Sequence, residues 1–175
     1  MPGDKARVGS FSEEVRMGPP LTGDRDAMIA FIRDSFDLRV GMRTRLWDGL
    51  IEGIKTLEGV EGRRVLFVIT DGNDSGGTDV SRGDVRKRAI REDFMVYAVA
   101  INGHTLNGEL QDVATESGGG YVIVNDSDDL KATLASVVDE LRHQYVLGFS
   151  PATLDGKTHS LEVKVRTRGL TARAP

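Results

Sequence analysis

The feature that most constrains this 175-residue chain is the run Val65-Leu66-Phe67-Val68-Ile69-Thr70, six residues without a charge, closed by Asp71-Gly72. A strand so uniformly apolar is normally covered on both faces, as happens at the centre of a parallel sheet. Apolar strands recur downstream at Phe94–Ile101 and Tyr121–Val124, separated by helical patterns at Val80–Glu92 and 106–116. Strand–helix alternation of this kind calls for a parallel sheet with right-handed crossovers.

Upstream, Ala6–Phe11 and Val15–Leu21 read as short strands joined by Ser12-Glu13-Glu14, with Pro19-Pro20 marking an edge. Met28, Ile29, Phe31, Ile32 and Phe36 form the stripe of a helix that begins with Asp24-Arg25-Asp26. A second helix is expected from about Thr44 to Leu57, with Leu46, Leu50, Ile54 and Leu57 on one face. Gly118-Gly119-Gly120 precedes a strand rather than a helix, which removes the context of a dinucleotide loop. Asp126-Ser127-Asp128-Asp129 opens a last helix, reaching about Arg142. Tyr145–Phe149 and Leu161–Val165, with Pro151 and Asp155-Gly156 between them, read as an appended antiparallel pair.

Composition removes several classes of function. A formal net charge of −4 lacks the basic surplus of a nucleic-acid binder. The absence of cysteine excludes disulfides, thiolate metal sites and cysteine nucleophiles. No apolar run approaches the roughly 20 residues of a membrane helix, and no long apolar region follows Met1 as a signal peptide requires. His104, His143 and His159 are scattered without metal-ligand spacing, and no GxSxG elbow or HExxH motif occurs. The sequence therefore reads as non-catalytic.

Asp71 is the sharpest single candidate. Ligands of open parallel sheets bind beyond the carboxyl ends of the strands, and a carboxylate there suits a hard cation. Asp-Gly after a strand is also ordinary turn chemistry. Asp71 to Gly76 imitates an EF-hand loop, but Arg82 stands where the bidentate glutamate belongs, which rejects that reading. Thr44 at a helix start reads first as an N-cap, and second as a hydroxyl ligand. Arg82, Arg86, Lys87, Arg88 and Arg91 lie alongside Asp84, Glu92 and Asp93 and read as a solvated face.

Three stretches together resemble the von Willebrand factor A (vWA) family: Ala6 to Ser12, Thr44-Arg45-Leu46-Trp47-Asp48-Gly49-Leu50, and Val65 to Gly72 with its Thr-Asp-Gly ending. Leu141 to Phe149 is similar to the tail of a bacterial, acidobacterial-type subgroup that carries a β-extension. The resemblance implies a three-layer, Rossmann-like α/β fold with a mostly parallel sheet, helices on both faces and a C-terminal antiparallel extension. It divides the chain into a vWA-like domain over 1–143, incomplete at its N-terminus, and a β-hairpin extension over 144–175. It also implies a metal-ion-dependent adhesion site in which Thr44 is the second-loop ligand and Asp71 the third-loop ligand. The family's first loop, Asp-x-Ser-x-Ser, has no counterpart: Ser10-Phe11-Ser12 imitates its end, but Val8 stands where the aspartate should be. The opening Pro2-Gly3-Asp4-Lys5 resembles the loop before the family's second strand, so the chain reads as a fragment lacking the first strand, helix and loop.

The expectation that follows is a protein-interaction or adhesion domain with a remnant metal site. Mg2+, or Mn2+ or Ca2+, would belong to the complete domain and would bind weakly or not at all to this chain. A protein partner would complete the shell with a carboxylate. Self-association through unpaired strand edges and an extracytoplasmic or secreted bacterial location are further implications. The rival readings are a metal-independent structural domain, and a Rossmann-like nucleotide-binding or phospho-accepting domain centred on Asp71.

Overall fold

The computed structural model describes residues 3–36, 43–71, 74–75, 80–101, 108–125, 127–145, 148, 150, 155–156, 159, 163–169 and 172. Among these, β1 (Gly9–Phe11) and β2 (Val15–Met17) form an antiparallel pair, with Ser10 opposite Arg16. Helices α1 (Arg25–Phe36) and α2 (Leu46–Leu57) follow. Then β3 (Arg64–Thr70), α3 (Arg82–Arg91), β4 (Phe94–Ile101), α4 (Gly108–Glu116), β5 (Gly120–Val124) and α5 (Ser127–Arg142) alternate. The order β3-β4-β5 is parallel throughout, registering Phe67 with Tyr97 and Val99 with Val122. This is the mixed α/β architecture that the strand rhythm predicts.

The side chains sort by the alternation of the strands. Val68 of β3 and Phe94, Val96 and Ala98 of β4 enter one core with Leu46, Leu50 and Ile54 of α2, Val85 and Ala89 of α3, and Leu110, Val113 and Ala114 of α4. Trp47 is buried in that core, in keeping with a packing role. On the opposite face the Tyr97 hydroxyl donates to Glu140 of α5 at 2.8 Å. Helices thus lie on both faces.

One expectation about the sheet changes. β4, not β3, is the strand covered on both sides; all its residues but Met95 and Ile101 are buried. β3 is the edge of the three-stranded sheet, and its Ile69 is 40% exposed. The cause is topological: no described strand pairs with β3 on the side away from β4, and Val65, Leu66 and Phe67 are only half-buried.

Gly118-Gly119-Gly120 has a packing explanation. A Cβ on Gly119 would lie 1.9 Å from the Val96 carbonyl oxygen, so only glycine lets the chain pass this close to β4. Gly118 adopts φ 77°, in the left-handed region.

Other boundaries move for local reasons. Ala6 leaves the first strand and pairs instead with Thr22, their amides and carbonyls exchanging hydrogen bonds of 2.9 Å. The third helix starts at Arg82 behind a capping box: the Ser81 hydroxyl accepts from the Asp84 amide, and the Asp84 carboxylate accepts from the Ser81 amide. At the C-terminus, residues 163–166 lie in no strand, while most of the expected hairpin, with the Asp126 cap, falls outside the described residues.

Candidate functional site: a corner of three loops

The carboxyl ends of β1 and β3 meet the start of α2, and backbone and side-chain hydrogen bonds join the three there. The Arg45 amide donates to the Ser12 carbonyl at 3.1 Å, joining the loop after β1 to the start of α2. The Ser75 amide donates to the Thr44 carbonyl at 3.1 Å, and the Thr44 amide donates in turn to the Ser75 hydroxyl. The Leu46 amide donates to the Asp74 carboxylate at 2.9 Å. Ser12, Thr44 and the segment after Asp71 therefore belong to one corner at the carboxyl end of the sheet, where open α/β folds bind ligands.

The cap of α2 differs from the sequence-based assignment. Thr44 lies two residues before the helix, and its N-cap position, Arg45, makes no side-chain capping bond. The cap comes from Asp74, whose carboxylate satisfies an amide of the first turn and places negative charge at the helix N-terminus. Inside that turn, Arg45 Nε donates to the buried carboxylate of Asp48 at 2.6 Å. Thr44 is half-buried and Asp71 exposed.

This donor set does not by itself fit a tightly held divalent cation. Mg2+ requires near-octahedral oxygen coordination, and one or two protein side chains seldom hold it without other anionic ligands. Among the described residues no group of three or more His, Cys, Asp and Glu side chains converges. The nearby Asp74 carboxylate is engaged by the α2 amide.

Asp74 as a cap, and Ser12 and Ser75 as the pins of the corner, were not legible as such in the sequence. Their partners lie 28 or more residues away, and no local motif signals a cap supplied from another loop.

The arginines of α3 are ion-paired across its surface. Arg86 forms a two-pronged pair with Glu116, Arg82 reaches Glu109 at 3.5 Å and Asp112 at 3.7 Å, and Arg88 pairs with Glu58 and Glu92. Neutralised in this way, the face is no phosphate cradle.

Comparison with known proteins agrees with this fold. The fold is similar to that of BatB, a conserved hypothetical protein from Bacteroides thetaiotaomicron, with a TM-score of 0.62 at 18% identity over 81% of this chain and 80% of that one. It is similar to an aerotolerance-related membrane protein from Bacteroides fragilis, with a TM-score of 0.61 at 17% identity, covering 80% of this chain and 81% of that one. Proximal thread matrix protein 1 from the mussel byssus matches with a TM-score of 0.61 at 23% identity over 78% of this chain and 36% of that one. A further structure of that mussel protein has a zinc-occupied metal-ion-dependent adhesion motif. No curated protein matches the sequence. The family model for the von Willebrand factor type A domain matches residues 2–138, and the chain belongs to that family.

Proposed function

We propose that this chain is a non-catalytic protein-interaction domain whose binding corner is the junction of the Ser12, Thr44 and Asp71–Ser75 loops. The observation that carries the reading is the welding of that corner by Arg45–Ser12, Thr44–Ser75 and Leu46–Asp74 hydrogen bonds. A corner held by backbone and side-chain hydrogen bonds presents its outward groups in a fixed geometry, which lowers the entropy lost when a partner docks. Domains of this family generally serve protein interaction, and one protein of similar fold is a matrix protein of the mussel byssus.

In this proposal Thr44 and Asp71 are the remnant of a metal-ion-dependent adhesion site, and a partner's carboxylate supplies what the chain lacks. The isolated chain binds Mg2+ weakly or not at all, because two side-chain oxygens leave most of the cation's shell to water. An extracytoplasmic bacterial role follows from the family reading, and the fold shared with an aerotolerance-related membrane protein supports it. No helix among the described residues is long and apolar enough to cross a membrane.

The metal-independent reading draws on one specific observation, the engagement of Asp74 as a helix cap. Replacing Asp71 discriminates between the two. Under the proposal, Asp71→Ala loses affinity for a bound protein partner in Mg2+ buffer while its far-UV circular dichroism stays unchanged. Equal partner affinity for wild type and variant, with and without chelator, supports the metal-independent reading instead.

A further inference from the structure

Strand β5 is the other edge of the three-stranded sheet, and among the described residues no strand lies beyond it. Its sequence, Gly120-Tyr121-Val122-Ile123-Val124, holds no charge and no proline, the devices that usually keep an edge from pairing. Val122 and Ile123 are 38% and 39% exposed, one on each face of the sheet. On α4, Glu109, Asp112 and Glu116 turn toward Arg82 and Arg86 of α3, which leaves exposed, uncharged Gln111 and Thr115 on the opposite flank. On α5, Glu140 reaches inward to Tyr97 of β4, so by helical spacing Lys131, Ala135 and Val138 line the flank that looks past β5. All three are exposed, Val138 at 45%.

These features fit a second copy of the same edge. Tyr97 stands opposite Gly120 in the sheet and binds Glu140, so Glu140 lies level with Gly120. Val122 is further along β5 by about 7 Å, which α5 covers in about five residues. Ala135 is therefore level with Val122. A twofold axis through Val122, normal to the sheet, pairs β5 with its copy antiparallel, Val122 against Val122 and Tyr121 against Ile123. It also sets the two α5 helices antiparallel about Ala135. Because α5 sits over β5 and reaches β4, the helix axes come about 10 Å apart, two strand spacings and an ordinary helix-packing distance. Lys131 and Asp139 lie four residues either side of Ala135, which brings Lys131 of each copy level with Asp139 of the other. Both side chains are exposed. We propose that β5 and α5 form a homodimer interface that joins two sheets edge to edge, with Val122 and Val138 at its centre and reciprocal Lys131–Asp139 pairs across it. The proposal uses no residue of the Thr44–Asp71 corner.

The test is the mass of the full chain in solution, measured by sedimentation equilibrium across the micromolar range. Wild type is expected to move with concentration from 19.0 kDa toward twice that mass. Val122→Lys sets two ammonium groups against each other on the axis and is expected to stay at the monomer mass. Lys131→Glu and Asp139→Lys, both at exposed sites, are each expected to raise the dimer dissociation constant about tenfold, as attractive pairs become repulsive. The double variant carrying both exchanges restores opposite charge and is expected to dimerise within a factor of about two of wild type. That rescue separates a lost interface from a damaged fold. Wild type at the monomer mass throughout leaves the edge to a strand of another protein and overturns the proposal. So does a Val122→Lys variant or a single charge reversal that dimerises like wild type, and so does a double variant that dimerises no better than the single ones.

Discussion

The Asp74 carboxylate accepts the Leu46 backbone amide at 2.9 Å, so a side chain from the loop after β3 caps a helix that starts 28 residues earlier. This bond links the stability of α2 to the position of the candidate binding corner.

Asp74→Ala is expected to lower global stability by about 1 kcal/mol, the usual cost of an N-cap. For a domain of this size the melting midpoint falls by roughly 2–4 °C. Asp74→Asn keeps an acceptor oxygen and should recover most of the loss. Differential scanning calorimetry of the three proteins checks both statements, and equal midpoints for wild type and Asp74→Ala would remove the cap from the account.

A pH dependence follows from α3. The hydrogen bonds from the Ser81 hydroxyl and amide hold the Asp84 carboxyl below its ordinary value, while that of Glu92 is lowered first by Arg91 and then by Arg88. A carboxylate depressed in the folded state contributes stability that is present above the unfolded value and lost as pH falls through the folded one. Urea midpoints are therefore expected to decline as pH drops below the normal carboxylate range. In Ser81→Ala the decline should be shallower, because Asp84 then loses its leading cause of depression.

Gly119 tolerates no side chain. With a Cβ only 1.9 Å from the Val96 carbonyl oxygen, Gly119→Ala must displace β5 from β4 and is expected to cost about 3 kcal/mol or more. Gly108 has nothing within 4 Å of its Cβ position, so Gly108→Ala should leave the urea midpoint at or above that of wild type. Urea titrations of the two variants give the comparison directly.

Much of the fold was legible because its signals are local. The uncharged runs at 65–70 and 94–101 and the 3.6-residue stripe of α2 each depend on neighbouring residues, and each element appears within two residues of its expected bounds. The standing of β3 was not legible, since an apolar strand carries the same pattern whether or not another strand lies beyond it. In the proposed corner, Thr44 and Asp71 are named by motif alone, while Asp74 and Ser75 gain their contacts only when the chain folds. A capping oxygen supplied from another loop leaves no spacing rule to read.

Titration calorimetry of the isolated chain with millimolar Mg2+ separates a remnant metal site from a working one. No saturable heat is expected, because Thr44 and Asp71 alone cannot replace enough of the cation's water shell. A saturable isotherm with micromolar affinity, lost in Asp71→Ala, would contradict it and establish a working metal site in this chain.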